Sequence, residues 1–278
     1  MRKKLIIYFL ILILPGLLIV YLYFYFISNL AVADINQLNS KPAHPINNNQ
    51  PVNNPEQPPL TQSQATTTIN QPPITDNLPP QTQENNILLD VPFTSQAPFG
   101  NWRDAKEQNG CEETSALMAV YWARQKKLTP IIALKEIIAI SDYEQKTYNN
   151  YYDTSAADTV KRIFNGYFNF KNATVKVPMS ADDIISELKN GNLVIAPANG
   201  RKLGNPYYTQ PGPLEHNLVI KGYDFNTDEF ITNDAGTRRG NGLRYKKQVL
   251  WQALRDYPTG NKEPIKQIKK TMIVIRPE

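Results

Sequence analysis

The sequence predicts an α+β domain with an antiparallel sheet, placed after an apolar N-terminal segment and a polar linker. Three observations support this organisation. Apolar residues recur at helical spacing in the first half of residues 87–278, short β-branched runs dominate the second half, and residues 1–86 show neither pattern. Because the predicted helices come first and the strands follow, the order favours α+β over alternating βαβ units.

The N-terminal segment, residues 1–33, is predicted to be a transmembrane anchor or a signal segment. Arg2, Lys3 and Lys4 precede an uncharged, mostly apolar run over 5–27, and about 20 such residues span a bilayer core as a helix. The basic cluster indicates a cytoplasmic N-terminus, so we expect a single-pass membrane protein whose remaining chain is extracytoplasmic. The alternative is a signal peptide, with secretion after cleavage near Ala33.

Residues 34–86 are predicted to form a disordered linker rich in Pro, Asn, Gln and Thr. The segment contains no Phe, Tyr, Trp or Gly. Such a composition cannot bury enough apolar surface to offset the entropy of ordering the chain. Pairs of prolines stiffen it towards polyproline II, so we expect a spacer that lifts the following domain off the membrane.

The remaining residues, 87–278, are long enough for one hydrophobic core. Helix start signals are present at Thr129-Pro130 and at Ser180, where Asp183 completes a capping box. The pattern predicts a short edge strand over 87–92 and helices over 112–124, 130–140, 155–165 and 180–190. Strands are predicted over 193–196, 217–223, 230–233, 243–246 and 272–275, with a helix over 247–255 before the last of them.

Composition excludes several kinds of site. The chain has a net charge of +5, too small to indicate a nucleic-acid partner, and it holds one cysteine, Cys111, and two histidines, His44 and His216. An internal disulfide, a multi-cysteine metal cluster and a site built mainly from histidines are therefore excluded. We expect no metal and no cofactor.

Cys111 is the candidate nucleophile. It follows Gly110 at the start of a predicted helix, where free N–H groups and the helix dipole favour a thiolate and lower the thiol pKa. The competing interpretation is a small buried core residue, as most free cysteines are. A polar loop before the helix argues against that interpretation, because core cysteines usually lie within apolar stripes.

His216 is the candidate base, because histidine can both take the thiol proton and protonate a leaving group near neutral pH. It opens a predicted strand, and a hairpin with its turn centred on Phe225 would place it opposite Asp234. A carboxylate there would orient the imidazole. The alternative for Asp234 is a turn residue before Ala235 and Gly236.

An oxyanion needs N–H donors. Backbone groups at the helix start, including that of Cys111, supply one source, and a side-chain amide upstream is the other. Gln96 and Gln108 are both candidates, and distance along the chain does not choose between them.

The motifs at 91–96, at 110–118, around His216 with 219–224, and at 233–240 occur in the order typical of a peptidase C39-like domain, which they resemble. Such domains are relatives of the double-glycine leader peptidases and have a papain-like cysteine peptidase fold. The resemblance covers most of residues 88–278. It implies that Cys111 is the nucleophile, His216 the base, Asp234 the orienting group and Gln96 an oxyanion-hole residue. The stretch between Gln96 and Cys111 is longer than in the exporter peptidases, which keeps Gln108 open.

The sequence therefore predicts a membrane-anchored extracytoplasmic cysteine peptidase acting on a peptide or protein substrate. One alternative is an amidase or endopeptidase acting on cell-wall peptides, as in NlpC-type hydrolases. Another is a catalytically silent binding module that keeps the fold. Arg238 and Arg239 are interpreted as solvated charge or as the rim of a substrate cleft.

Overall fold

The computed structural model describes residues 85–260, 264–265 and 267–278. The predicted anchor and nearly all of the predicted linker lie outside these ranges. Within the described residues, no helix has both the length and the apolar character that crossing a membrane requires. All statements below concern the described part of the chain.

The helices cluster in the first half of the domain, as the sequence predicts. They are α1 (Ala105–Gln108), α2 (Cys111–Ala123), α3 (Pro130–Tyr148), α4 (Ala156–Asp158) continuing as a π-helix over Thr159–Tyr167, α5 (Ala181–Lys189), α6 (Gly200–Leu203) and α7 (Lys247–Ala253). The strands are β1 (Ile87–Leu88), β2 (Ala173–Lys176), β3 (Leu193–Ala198), β4 (His216–Asp224), β5 (Glu229–Asp234), β6 (Asn241–Lys246) and β7 (Met272–Ile275).

Two predicted helix starts are confirmed by their capping bonds. The Thr129 hydroxyl accepts from the N–H of Ile132, and Ser180 with Asp183 forms the capping box of α5. The helix predicted over 155–165 ends too early, because the π-helix continues to Tyr167. Gly166 lies inside the π-helix, where a Cβ would stand 2.7 Å from the hydroxyl of Tyr143. The glycine is needed for close packing there.

One antiparallel sheet forms the centre of the domain, with strand order β2-β7-β3-β4-β5-β6 and β1 paired to β4. Alternate residues of its strands face opposite sides. Leu193, Ile195 and Val219 pack with α2, α3 and the π-helix, whereas Val194 and Leu218 pack with α5 and α7. Helices therefore cover both faces of the sheet, and the α+β prediction is confirmed.

The predicted register of the β4–β5 hairpin is wrong by two residues. Leu218, rather than His216, pairs with Asp234. The hairpin loop spans 225–228, further along the chain than predicted, because the Asp224 carboxylate accepts from the N–H groups of Asn226 and Thr227. A β-bulge between Ile220 and Gly222 shifts the pairing again. An even shift leaves Asp234 on the face that carries His216, as a diagonal neighbour.

Two carboxyl groups lie in the interior between α2 and α3. Glu113 and Glu144 have no exposed surface, and one Glu113 oxygen accepts from the hydroxyl of Ser141. Both oxygens of Glu144 lack a hydrogen-bond partner among the described residues. Burial, together with the charge of Glu112, raises the pKa of Glu144 from 4.5 to about 8. Between these two pKa values, the folded protein therefore keeps a proton on Glu144 that the unfolded chain has lost.

Replacing Glu144 by glutamine is expected to stabilise the full-length protein at pH 8 but not at pH 4.5. A raised pKa means that the contribution of Glu144 to stability is complete below the unfolded pKa and is lost as the pH rises through the folded pKa. We expect urea unfolding at the higher pH to show a gain on the order of 3 kcal/mol in the free energy of unfolding.

Glu187 supplies the matched control. Burial would raise its pKa, but hydrogen bonds from Lys176 and Asn192, together with the charges of Lys176 and Arg276, lower it. Glu187→Gln should therefore bring no gain at the higher pH. An equal effect of Glu144→Gln at both pH values would contradict a protonated Glu144.

Candidate active site

A cavity of about 810 Å³ is lined by the residues that the sequence predicts to be catalytic. Cys111, His216, Gln96 and Gln108 all line it, and Asp234 lies behind His216. The fold thus brings together every site residue that the sequence predicts, from the N-terminal loop, the start of α2 and the β4–β5 hairpin.

Cys111 is the first residue of α2, and the residue is 6% exposed. Its sulfur donates to the Glu112 carboxylate, with 3.0 Å between Sγ and Oε2. Burial, followed by the charge of Glu112 and this hydrogen bond, raises the pKa of the thiol well above its ordinary value. From the helix dipole, the sequence predicts instead that the pKa of the Cys111 thiol is lowered. The prediction fails because the dipole effect, up to ~2 kcal/mol, is smaller than burial beside a carboxylate.

Glu112 belongs to a buried chain of hydrogen bonds. Its second oxygen accepts from the Tyr257 hydroxyl at 2.6 Å, and that hydroxyl oxygen accepts from the Asn217 amide at 2.8 Å. Burial, and then the charge of Asp153, raises the pKa of Glu112. Asn217 directly follows His216, so the chain joins the thiol to the strand that carries the imidazole.

His216 is the first residue of β4 and is 2% exposed. Its Nε2 lies 2.8 Å from Oδ1 of Asp234. Burial would raise the pKa of Asp234, but the adjacent His216 and hydrogen bonds from Tyr208 and Tyr245 lower it to about 2. An ionised carboxylate only accepts, so Nε2 must carry the proton. The lone pair of the neutral ring is then on Nδ1, which has no partner among the described residues.

Asp234 is held by donors on both oxygens. Oδ1 accepts from the Gly236 N–H as well as from His216, and Oδ2 accepts from Tyr208 at 2.6 Å, Tyr245 at 2.7 Å and Asn205 at 3.0 Å. These bonds prevent the carboxylate from rotating away from the imidazole.

Gly236 leaves space for the imidazole of His216 because it has no Cβ. A Cβ at this position would stand 2.9 Å from Cε1 of His216 and 3.0 Å from Cε1 of Tyr208, closer than side-chain carbons approach. The two rings meet edge to face, with centroids 5.4 Å apart. Any larger residue at 236 would push the imidazole from its place.

The structure distinguishes the two candidate amides. Gln96 is buried, its backbone N–H donates to the Ala235 carbonyl, and its Nε2 donates to the backbone carbonyl of Gln108 at 2.7 Å. The Gln108 side chain is exposed at the end of α1. Gln96 is therefore held rigidly at the cavity wall, with one amide hydrogen still unused.

Several residues of the site are absent from the sequence prediction. The donors Asn205, Tyr208 and Tyr245 come from a loop and from β6, and no short-range pattern links them to Asp234. Glu112 could have been noticed in the sequence, because a charged residue directly after the candidate nucleophile on a buried helix needs a partner inside the protein. The tyrosines at 143, 148, 151 and 152 pack against other aromatic rings outside the cavity lining.

Comparison with known proteins identifies relatives of this domain. The model of the Peptidase_C39 like family matches residues 88–258. A solved structure described as a candidate C39-like peptidase from Bacillus anthracis has a TM-score of 0.45 at 14% identity, covering 69% of this chain and 98% of that one. No curated protein matches the chain.

Proposed function

Because the chain belongs to the Peptidase_C39 like family, we propose that it is a cysteine peptidase that hydrolyses peptide bonds. One observation carries the proposal. Cys111 and an imidazole already oriented by Asp234 line the same cavity, and no other cysteine or domain histidine is present in the sequence. We assign Cys111 as nucleophile, His216 as general base and acid, and Asp234 as orienting residue.

The first chemical step is acylation. When a peptide enters the cavity, the thiol turns from Glu112 towards His216 and gives its proton to Nδ1. The sulfur forms a bond to the amide carbon, and the carbonyl electron pair moves to oxygen. The imidazolium then protonates the nitrogen as the C–N bond breaks, which leaves a thioester on Cys111 and releases an amine.

The second step is deacylation. Water enters, His216 removes a proton from it, and the hydroxide adds to the thioester carbon. The C–S bond breaks, the sulfur regains a proton, and a carboxylic acid leaves. Both steps pass through an oxyanion, for which the N–H of Cys111 and the amide of Gln96 are the proposed donors. The first-turn N–H of α2 has no intrahelical partner, which suits this role.

The proposed location rests on the sequence. The apolar run over 5–27 would hold the protein in a membrane, and the basic residues 2–4 would keep its N-terminus cytoplasmic. The linker would then present the peptidase domain to extracytoplasmic peptides or proteins. Peptides of the cell wall are the alternative substrate in the same location.

Alkylation of the single cysteine tests the proposed function. The full-length protein is incubated with a peptide library and, separately, with cell-wall muropeptides, and new termini are detected by mass spectrometry. Because Cys111 is the one cysteine in the chain, iodoacetamide modifies a defined site. Hydrolysis should fall in proportion to the alkylated fraction.

Two outcomes would contradict the proposal. Hydrolysis that survives complete alkylation would exclude Cys111 as the nucleophile. Readily labelled protein that cleaves neither substrate set would indicate a catalytically silent binding module. Cys111→Ser protein purified in the same way controls for contaminating peptidases, because it lacks only the proposed nucleophile.

A further inference from the structure

Three arginines line the cavity that holds Cys111 and His216. Arg201 comes from α6, and Arg238 and Arg239 come from the turn between β5 and β6. All three are exposed, and none forms an ion pair with a carboxylate of the described residues. Elsewhere in the described chain, arginines at 124, 162 and 244 pair with Glu278, Asp158 and Asp224 respectively.

Uncharged groups are the observed neighbours of these guanidinium groups. Nε of Arg201 donates to the carbonyl of Gly212 at 3.2 Å, and the guanidinium of Arg239 lies over the Tyr207 ring, 5.1 Å from its centroid. Arg238 reaches Gly100, with Nη1 3.5 Å from the position that a Cβ there would occupy. A carbonyl and an aromatic face leave the positive charge uncompensated, so N–H groups remain for a ligand.

The carboxylates of the same cavity do not neutralise these arginines. Asp153 and Glu215 also line the cavity, and neither forms an ion pair with Arg201, Arg238 or Arg239. The cavity therefore contains three guanidinium groups that have no carboxylate partner among the described residues.

We propose that Arg201, Arg238 and Arg239 bind carboxylates of the substrate, so that the cleft selects acidic peptides. This inference rests on the proposed function and names its substrate class. Guanidinium binds carboxylate through paired, charge-assisted hydrogen bonds, and a cleft lined with one sign of charge concentrates ligands of the opposite sign. Aspartate and glutamate side chains near the scissile bond are the groups that would be recognised.

The test compares a glutamate-rich decapeptide with its glutamine counterpart of otherwise identical sequence. Both carry a fluorescent label, and binding to full-length Cys111→Ser protein is measured by anisotropy, which needs no turnover. The acidic peptide should bind about tenfold more tightly at low ionic strength, and the difference should shrink as salt is added. With active protein, the same preference should appear in KM rather than in kcat.

Matched variants test whether the preference for acidic peptides arises from the arginines of the cavity. In the Cys111→Ser protein, Arg201→Gln and Arg239→Gln should each weaken binding of the acidic peptide several-fold and leave the glutamine peptide unchanged. Arg276→Gln removes another exposed arginine, one that does not line the cavity, and it should change the binding of neither peptide.

The outcomes separate this inference from the proposed function. Equal binding of the two peptides, or tighter binding of the glutamine peptide, would overturn acidic selection even if the enzyme cleaves neutral peptides. Acidic selection by a protein that hydrolyses nothing would support the ligand class and contradict peptidase activity. Tighter binding of a single-stranded oligonucleotide than of the acidic peptide would overturn the assignment to peptides.

Discussion

Asp234→Asn is expected to lower kcat/KM for peptide hydrolysis by ~10³-fold or more, because it disturbs the tautomer of the imidazole that we propose as general base. The Asp234 carboxylate accepts the Nε2 proton of His216 and leaves Nδ1 as the proton acceptor. An asparagine nitrogen facing the ring would donate to Nε2 and move the ring proton to Nδ1. The reverse orientation would point that nitrogen at Tyr208, Tyr245 and Asn205, all of which donate to Oδ2.

Tyr245→Phe is the control for this substitution. It removes one donor to Asp234 but leaves the carboxylate and its bond to His216, so kcat/KM should fall only a few-fold. Thermal unfolding of both variants shows whether the fold is kept. An Asp234→Asn enzyme that is folded and within a few-fold of wild type would contradict the orienting role of Asp234.

Glu112→Gln is expected to make the Cys111 thiol ionise more easily. The Glu112 charge lies beside the sulfur, and it raises the thiol pKa second only to burial. A neutral glutamine removes that repulsion, and its amide can donate to the thiolate. We expect iodoacetamide to alkylate the full-length variant about tenfold faster near neutral pH, with the alkylation profile shifted to lower pH.

Glu113→Gln provides a close comparison. Glu113 is buried beside Glu112, but its carboxyl bonds to Ser141, and its charge acts on the thiol less than Glu112 or Asp153 does. Glu113→Gln should therefore change the alkylation rate of Cys111 much less than Glu112→Gln does. Slower alkylation of the Glu112→Gln variant would show that Glu112 assists ionisation, and would make Glu112 rather than His216 the base in the resting protein.

Local signals in the sequence were sufficient to predict most of the domain. Capping residues predicted the starts of α3 and α5, and β-branched runs predicted β3, β4, β5, β6 and β7 within two residues at each end. The missed elements, α1, α6 and β2, are short, and each is held by tertiary contacts. β2, for instance, pairs only with β7, almost a hundred residues later along the chain.

The candidate site was predictable in its residue types but not in its electrostatics. Rarity of cysteine and histidine singled out Cys111 and His216, and face alternation led to Asp234 despite the wrong register. Nothing in the local sequence shows that Tyr257 and Asn217 would bury Glu112 against the thiol. That arrangement depends on side chains brought together from α2, β4 and the segment after α7.

The hydrogen bond between Cys111 and Glu112 also bears on how well the proposed peptidase resists oxidation. Peroxides and disulfides attack the thiolate far more readily than the thiol, and the higher oxidation states of cysteine are not reversed without dedicated repair. In the proposed mechanism the buried sulfur keeps its proton until a substrate arrives, and it is open to that damage only during turnover. With one cysteine in the chain, no second thiol can rescue an oxidised one. Slow reaction of the resting Cys111 thiol with oxidants would therefore keep the proposed peptidase active for longer.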